Sequence, residues 1–580
     1  MLIHPALRGL ILTALVGRAV LAEGPKVQLG HTTLIGQEVT SLNQDFFGGK
    51  LVIPCTICWD GGTAIHHLGI PFAEPPLGNL RLKPTVLKTN LDSPVFNATN
   101  FGFSCLQVGV PVAELSEDCL TINIFRPSGV TSKDSLPVMF WTYGGGFQEG
   151  SSATFNASAI VAQSVFRGTP IIYVNFNYRL GPLGFPQGQE AANRKALNLG
   201  LHDQIAALTW VQENIGTFGG DKSKVTVFGE SAGAILTAIQ FLNPSFSRFA
   251  RAAIFESGSA SSDLTFHPQR RQIDWDNFVA GVPGCAELSN TDNTFGCLQS
   301  VNTTAILEGL TIAQNEANEE FPWSPAIDGE GGFLPDYPSL LFAKGTFAKL
   351  PFISGTNLDE GTLFIPPTGN YTTEVISDMI IANFSPPVFP FVSEGRLQGA
   401  VTQLLDLYPD IPALGSPFNT GNDTFGLSPG YKRVSAMFGD LAFQAPRRLW
   451  IEAASKAGVK TFAYLFTQPQ PTNPVFLGVS HGTEIVYVYG APTDPTASDI
   501  ALSTAMVDYW VSFATSLDPN DGRGSSRPTW EQYTPENQVV IQLNGDNLTS
   551  IPDDYRKAGI DFINSMPLTF HHRRSLELGQ

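Results

Sequence analysis

The sequence predicts an α/β fold: one large, mostly parallel central sheet with helices on both faces. Three observations carry this expectation. Short apolar runs rich in β-branched residues alternate with helical patterns along most of the chain, as in a sheet buried on both sides. One run, Val225–Phe228, ends in a glycine-flanked turn and passes directly into a small-residue run, Ala232 to Ile239, that suits a helix. No repeat, low-complexity tract or Pro/Gly/Ser linker is long enough to divide the chain, so residues 23–580 read as a single domain.

The first element is a leader. His4 and Arg8 precede an apolar run, Gly9 to Gly17, and Val20-Leu-Ala22 supplies small residues at cleavage spacing, so residues 1–22 read as a secretory signal peptide. Arg18 interrupts the run, which leaves cleavage after Ala19 open. No later stretch reaches the ~18–20 apolar residues of a membrane span, so no stable membrane insertion is expected. The last residues, Ser575 to Gln580, form neither a retention signal nor an anchor tail. Asn-x-Ser/Thr sequons at Asn97, Asn156, Asn302, Asn370, Asn422 and Asn547 suit a secreted glycoprotein, whereas a seventh, Asn383, has Pro386 close behind it. Six cysteines are compatible with an oxidising compartment. A 43% apolar, 15% charged composition describes a globular chain with a sizeable core. The net charge of −18 argues against nucleic acid or an anionic membrane as partner, and its plain reading is solubility.

The core strands expected in order are Val138–Thr142, Ile171–Asn175, Val225–Phe228, Ala252–Phe255, Phe352–Ser354 and Phe462–Phe466. His202–Ile215 is the expected helix before the third, with Ile205, Leu208, Trp210 and Val211 on one side. The Gly229-Glu-Ser-Ala-Gly233 turn then places Ser231 between a strand and a helix. Glycines flank it because the backbone there is strained and the crowded strand and helix leave no space for Cβ atoms. Such a turn raises the hydroxyl above the sheet and directs the Ala232 N–H toward an oxyanion; the general description of this motif is that of the α/β-hydrolases.

Taken together, the motifs resemble the type-B carboxylesterases, the family of fungal lipases and cholinesterases. The stretches that carry the resemblance are Gly69-Ile-Pro-Phe-Ala-Glu-Pro-Pro-Leu-Gly-Asn-Leu-Arg81, Ser116-Glu-Asp-Cys-Leu-Thr-Ile-Asn123, Gly144-Gly-Gly-Phe147, Asn177-Tyr-Arg179, Asp203-Gln204 and the serine turn. Phe255-Glu-Ser-Gly-Ser259, Asp359-Glu-Gly-Thr362 and Gly478-Val-Ser-His-Gly-Thr-Glu484 continue it, from about residue 30 to 570 in the family's order. The resemblance implies an α/β-hydrolase fold and serine ester hydrolysis on a small-molecule ester, with no cofactor or metal. It assigns no oligomeric state.

Serine catalysis needs a base, an acid to orient it, and oxyanion donors. The family's order is serine, acid, histidine. That order sets aside His31, His202 and His267, and His481 lies in a loop after a late strand, where a base belongs. His4 falls in the leader, His66 and His67 in a doubtful insertion, and His571 and His572 in a basic tail. Asp359 and Glu360 both qualify chemically as the acid; the family's acid directly precedes Gly-(Thr/Ser), which selects Glu360. By position, the oxyanion donors are the N–H groups of Gly145, Gly146 and Ala232. Tyr143 stands where many relatives have histidine.

Cys105 with Cys119, and Cys285 with Cys297, pair by order, and the resemblance implies the same bridges; each is worth ~3 kcal/mol on a chain-entropy view. Arg81 with Glu117 and Arg179 with Asp203 resemble the family's structural ion pairs, Glu230 a buried carboxylate beside the nucleophile, and Glu256-Ser257 a support behind the triad. Only 13 residues, 106–118, separate the first two paired cysteines, where relatives carry a flap. A flap this short presents little apolar surface to an oil–water interface, which favours soluble short- or medium-chain esters over interfacial triacylglycerol lipase action. Phe321 and Trp323 are expected on the acyl side. A non-catalytic adhesion homologue is the alternative of a different class; such relatives have lost triad residues and carry a membrane stalk.

One stretch departs from the family. Gly49 to Leu68 intervenes between Asp45-Phe-Phe-Gly48 and Gly69-Ile-Pro. Gly49-Lys50 can be encoded with a GTAAG splice donor and Leu68-Gly69 with an acceptor AG. Residues 49–68 therefore read as a translated intron, against a Cys55-x-x-Cys58 half-site or a genuine surface loop.

Overall fold

Strands buried on both faces can pair in parallel only if helices return the chain across the sheet, and that is how the middle of this molecule is built. The computed structural model describes residues 24–570 apart from 40–42, 49, 55–62, 68, 100, 264, 318–320 and 385–393. The expected signal peptide, Cys55, Cys58 and His571-His572 lie outside the described residues. Twelve strands form the main sheet: β1 Gln37–Val39, β2 Gln44–Phe47, β3 Ile70–Pro71, β4 Thr121–Pro127, β5 Leu136–Thr142, β6 Ile172–Phe176, β7 Gly220–Glu230, β8 Ala252–Glu256, β9 Phe352–Asn357, β10 Thr461–Phe466, β11 Val539–Leu543 and β12 Thr549–Pro552. Their order is β12-β11-β10-β9-β8-β7-β5-β6-β4-β2-β1, with β3 also on β4. From β6 to β11 every pairing is parallel. The edges are antiparallel, β4 on β6 and β12 on β11.

All six expected strands are present. The pattern missed β4, whose buried polar residues break an apolar run: Asn123 pairs with Asn175 at 2.9 Å, and Arg126 with Asp45. It also missed the edge strands, which are short or half-exposed. The helix expected at 202–215 runs from Leu199 to Asn214 (α1), starting a turn early because Asn198 enters it from the left-handed region (φ 58°). Gln204 fastens α1 to the sheet, donating to Thr142 Oγ1 at 2.9 Å and Thr237 Oγ1 at 3.0 Å.

β2 and β3 lie in tandem on the same edge of β4. Phe47 pairs with Ile124 and Ile70 with Ile122, so one residue of β4 separates partners that are 23 apart in sequence. Between them, Lys50–Pro54 and Thr63–His67 pair only with each other, as a hairpin outside the main sheet.

Two apolar clusters share the interior. One surrounds the sheet. The other belongs to helices α2 Thr373–Phe384, α3 Glu394–Leu407, α4 Tyr431–Gly439 and the later Lys557–Ser565, and contains Ile376, Val401, Leu404, Met437, Ile560 and Ile563. Both expected disulfides, Cys105–Cys119 and Cys285–Cys297, are formed. The two expected ion pairs are buried and two-pronged: Arg81 holds Glu117 at 2.6 and 2.7 Å, and Arg179 holds Asp203 at 2.9 and 2.8 Å. Such forks join distant segments through fixed geometry, the second tying the chain after β6 to helix α1.

Candidate active site

The residues singled out as chemical gather at the carboxyl ends of neighbouring parallel strands. Ser231 follows β7 with φ 52° and ψ −127°, a conformation a serine adopts only under constraint. The constraint is visible at its flanking glycines. A Cβ on Gly233 would sit 2.0 Å from Thr142 O, and one on Gly229 2.6 Å from the same oxygen. Beyond the turn, Ala232–Phe241 is a fully buried helix whose first turn closes from Ile235 N to Ser231 O at 2.9 Å.

The glycine loop after β5 packs onto this turn. A Cβ on Gly144 would fall 2.9 Å from that of Ser231. Gly145, Gly146 and Phe147 all have positive φ (98°, 58° and 63°), a run of left-handed backbone that two glycines make accessible. A side chain at Gly146 would strike the Phe321 ring at 2.2 Å. Among the described residues, the N–H groups of Gly145, Gly146 and Ala232 donate to no protein acceptor, so three donors are left for a ligand oxygen. Tyr143 is locked to the next strand end: its ring stacks on Tyr178 at 4.5 Å, and Tyr178 donates its hydroxyl to Tyr143 O at 2.9 Å.

On the other flank, His481 Nδ1 lies 2.6 Å from Glu360 Oε2. The second oxygen of Glu360 accepts from Ser257 Oγ at 2.7 Å and Asn357 N at 2.6 Å. Phe364 and Phe443 both pack against the imidazole, with ring centres 5.1 and 4.5 Å from it and 5.6 Å from each other. Phe443 comes from a π-helical turn, Asp440–Gln444, of the kind that often aims a side chain at a site. His481 Nε2 makes no hydrogen bond among the described residues; it stands 3.2 Å from Glu230 Oε1, so the bond to Ser231 Oγ is not formed in this geometry. Catalytic hydrogen bonds of this kind often tighten only when substrate arrives.

Burial alone would lower the basicity of His481, but the carboxylates of Glu230, Glu360 and Glu484 overcome it and raise its pKa to about 9. Burial in turn pushes Glu230, Glu256 and Glu484 above the usual carboxylate range. A proton on Glu230 removes the strongest of the fields that hold one on the imidazole, so the two groups titrate as a pair.

Ser231, Ala232 and Gly146 line a cavity of about 180 Å³ whose far wall, Ile380, Met437 and Phe570, belongs to the second apolar cluster. Phe321 lines it, and Trp323 is buried outside it. The sequence reading missed Asn357, Phe364, Phe443 and Glu484. Glu484 stands three residues beyond His481, a local signal; Phe443 reaches the site only through tertiary folding, and spacing could not have shown it. Of the sequon asparagines, Asn156, Asn302, Asn370, Asn422 and Asn547 are exposed and Asn97 is half-buried.

A parallel sheet carrying a strained serine turn, a glycine loop beside it and a histidine backed by a carboxylate at its carboxyl edge defines an α/β-hydrolase. The chain belongs to the carboxylesterase family, whose sequence model matches residues 57–563. It is 33% identical to Lipase 2 of Geotrichum candidum over 85% of this chain and 90% of that one. It is 35% identical to Secreted lipase 1 of Botryotinia fuckeliana, over 87% and 90%. In solved structures, a PNB esterase superposes with a TM-score of 0.71 at 26% identity, covering 92% of this chain and 99% of that one. The fold is shared with Aspergillus niger EstA (TM-score 0.78, 24% identity, 95% and 99% covered). The protein is thus a carboxylic-ester hydrolase.

Proposed function

We propose that the protein is a secreted serine esterase in which Ser231, His481 and Glu360 form the catalytic triad. The observation that carries this is the 2.6 Å contact of Glu360 with His481 Nδ1 beside a strained serine turn. His481 Nε2 takes the Ser231 proton as Oγ attacks the ester carbonyl. The N–H groups of Gly145, Gly146 and Ala232 receive the charge that develops on the carbonyl oxygen. His481 protonates the departing alcohol, and water, activated by the same imidazole, releases the acid from the acyl-enzyme. Glu360 fixes the imidazole's tautomer and steadies its charged form.

The preferred substrates are soluble short- or medium-chain esters. The 13 residues of the flap support this, because they are closed on themselves and tied down: Ser104 N donates to Glu114 O at 3.0 Å, and Gln107 exchanges two 2.9 Å bonds with Gly150. A second reading, triacylglycerol lipase, is favoured by the apolar cavity and by the lipase names of the relatives. Hydrolysis of p-nitrophenyl esters from acetyl to palmitoyl decides between them. Ser231→Ala should lower kcat by about 10⁴-fold or more. An optimum at long chains, with activation by emulsion, selects the lipase.

Residues 1–22 are proposed as the signal peptide, and the five exposed sequon asparagines as the first glycan sites. Residues 49–68 are proposed as a translated intron. The tandem seating of β2 and β3 on one edge supports this, because excision would leave Gly48-Gly69 to bridge them, a pair suited to a β-bulge. Protein lacking 49–68 should keep its activity within about twofold and its Tm within about 2 °C, a surface-scale effect. Message that retains the segment would sink the proposal.

A further inference from the structure

The acid and the base of the proposed triad lie on chain segments 121 residues apart, and hold their geometry only if something ties those segments together. The turn after β9 does this contact by contact. Asp359 N donates to Val479 O at 3.0 Å, and Val479 N donates back to Asp359 Oδ2 at 2.9 Å. Glu360 then meets His481. Between these contacts, Asn357 touches both partners at once. Its backbone N–H donates to Glu360 Oε1 at 2.6 Å; its side-chain amide donates to Ser480 O at 2.9 Å, one residue before the histidine, and to Glu484 Oε2 at 2.5 Å, three residues after it. The residue is fully buried, and Gln444 Nε2 braces its carbonyl at 2.7 Å.

We propose that Asn357 is a positioning residue, a clamp that sets the His481 loop in register with Glu360 and fixes Glu484 beneath the imidazole. The inference rests on the triad assignment above. An amide suits the task because it offers two donors from one planar group, one for each side of the histidine, without adding charge among four buried glutamates. Misplacing a catalytic group by about 1 Å costs on the order of 100-fold in rate. Loss of the clamp should therefore act on kcat.

It should also act on the pH profile. The charged groups that face His481 are Glu230 from the serine turn, Glu360 from the turn after β9 and Glu484 from its own loop; Glu256 on β8 faces Glu230 and Glu484 in turn. In Asn357→Leu, Glu484 loses a donor that favours its ionised form, takes up a proton more readily and stops raising the imidazole. The acid limb of kcat/KM moves to lower pH. Asn357→Asp keeps the size, loses the fixed donors and adds a carboxylate, so its limb moves to higher pH. Both variants should lose 10- to 100-fold in kcat on p-nitrophenyl butyrate, with KM within about twofold.

A purely structural role would lower the folded fraction and leave the limb of the remaining enzyme in place. The proposal is overturned if a folded variant, judged by its thermal transition, keeps either its kcat or its acid limb. Should Asn357→Leu fail to fold, Asn357→Asp decides alone. Ser231→Ala, run alongside, separates the two failures. Hydrolysis that survives it overturns the triad, whereas hydrolysis that it abolishes and the Asn357 variants retain overturns only the clamp.

Discussion

The two flanks of the catalytic cleft are made of different material. On the nucleophile side the parts are main chain: a serine at φ 52°, glycines with no space for a Cβ, and three free N–H groups. On the base side the parts are side chains, four glutamates and an asparagine buried around one imidazole that packs against two phenyl rings. Backbone geometry of this kind is confined by atoms packed directly against it and tolerates almost no change. A carboxylate cluster is set by tertiary packing, and its behaviour depends on which members hold a proton. The first flank is rigid in shape; the second is adjustable in charge.

The largest break in this contrast is expected from Gly233→Ala. The new methyl meets Thr142 O, a backbone atom that cannot step aside, so the cost should be about 4 kcal/mol or more, seen as lost soluble yield or a collapsed Tm. Wild-type stability in that variant would show the nucleophile flank to be softer than its geometry. Glu360→Gln tests the other flank: the fold should survive while kcat falls by about 10⁴-fold, because one amide cannot accept from Ser257, Asn357 and His481 together. The mildest change is Glu230→Gln. It removes the carboxylate 3.2 Å from His481 Nε2, so the imidazole gives up its proton more easily. The acid limb of kcat/KM should then move to lower pH by about one unit, with kcat altered by less than tenfold. A limb that stays put would mean the pair does not share its proton.

The same contrast explains what could be read in advance. Gly229 with Gly233, and Gly145 with Gly146, stand close together in sequence although distant atoms crowd them, so the serine turn and the glycine loop were visible as short motifs. The parallel strands were visible because burial on both faces leaves an unbroken apolar run. β4 was not, since Asn123 and Arg126 are buried polar residues whose partners, Asn175 and Asp45, lie far off in sequence. Glu360 and His481 came from family order, and no spacing rule would have joined them. Asn357 reaches Ser480 and Glu484 across 123 and 127 residues, and Phe443 reaches His481 from an element outside both loops, so no short motif joins them to the histidine.

The second apolar cluster has a consequence for how the chain is made. Its helices at 373–439 present Ile376, Leu404 and Met437 to Ile560 and Ile563, which are synthesised more than a hundred residues later. At ribosomal speed that interval is on the order of ten seconds. During it strands β10 to β12 are still being made, and the helical unit keeps an uncovered oily face. A nascent chain in that state is a client for chaperones and a risk for aggregation, so expression yield is set by a stretch of the protein that does no chemistry.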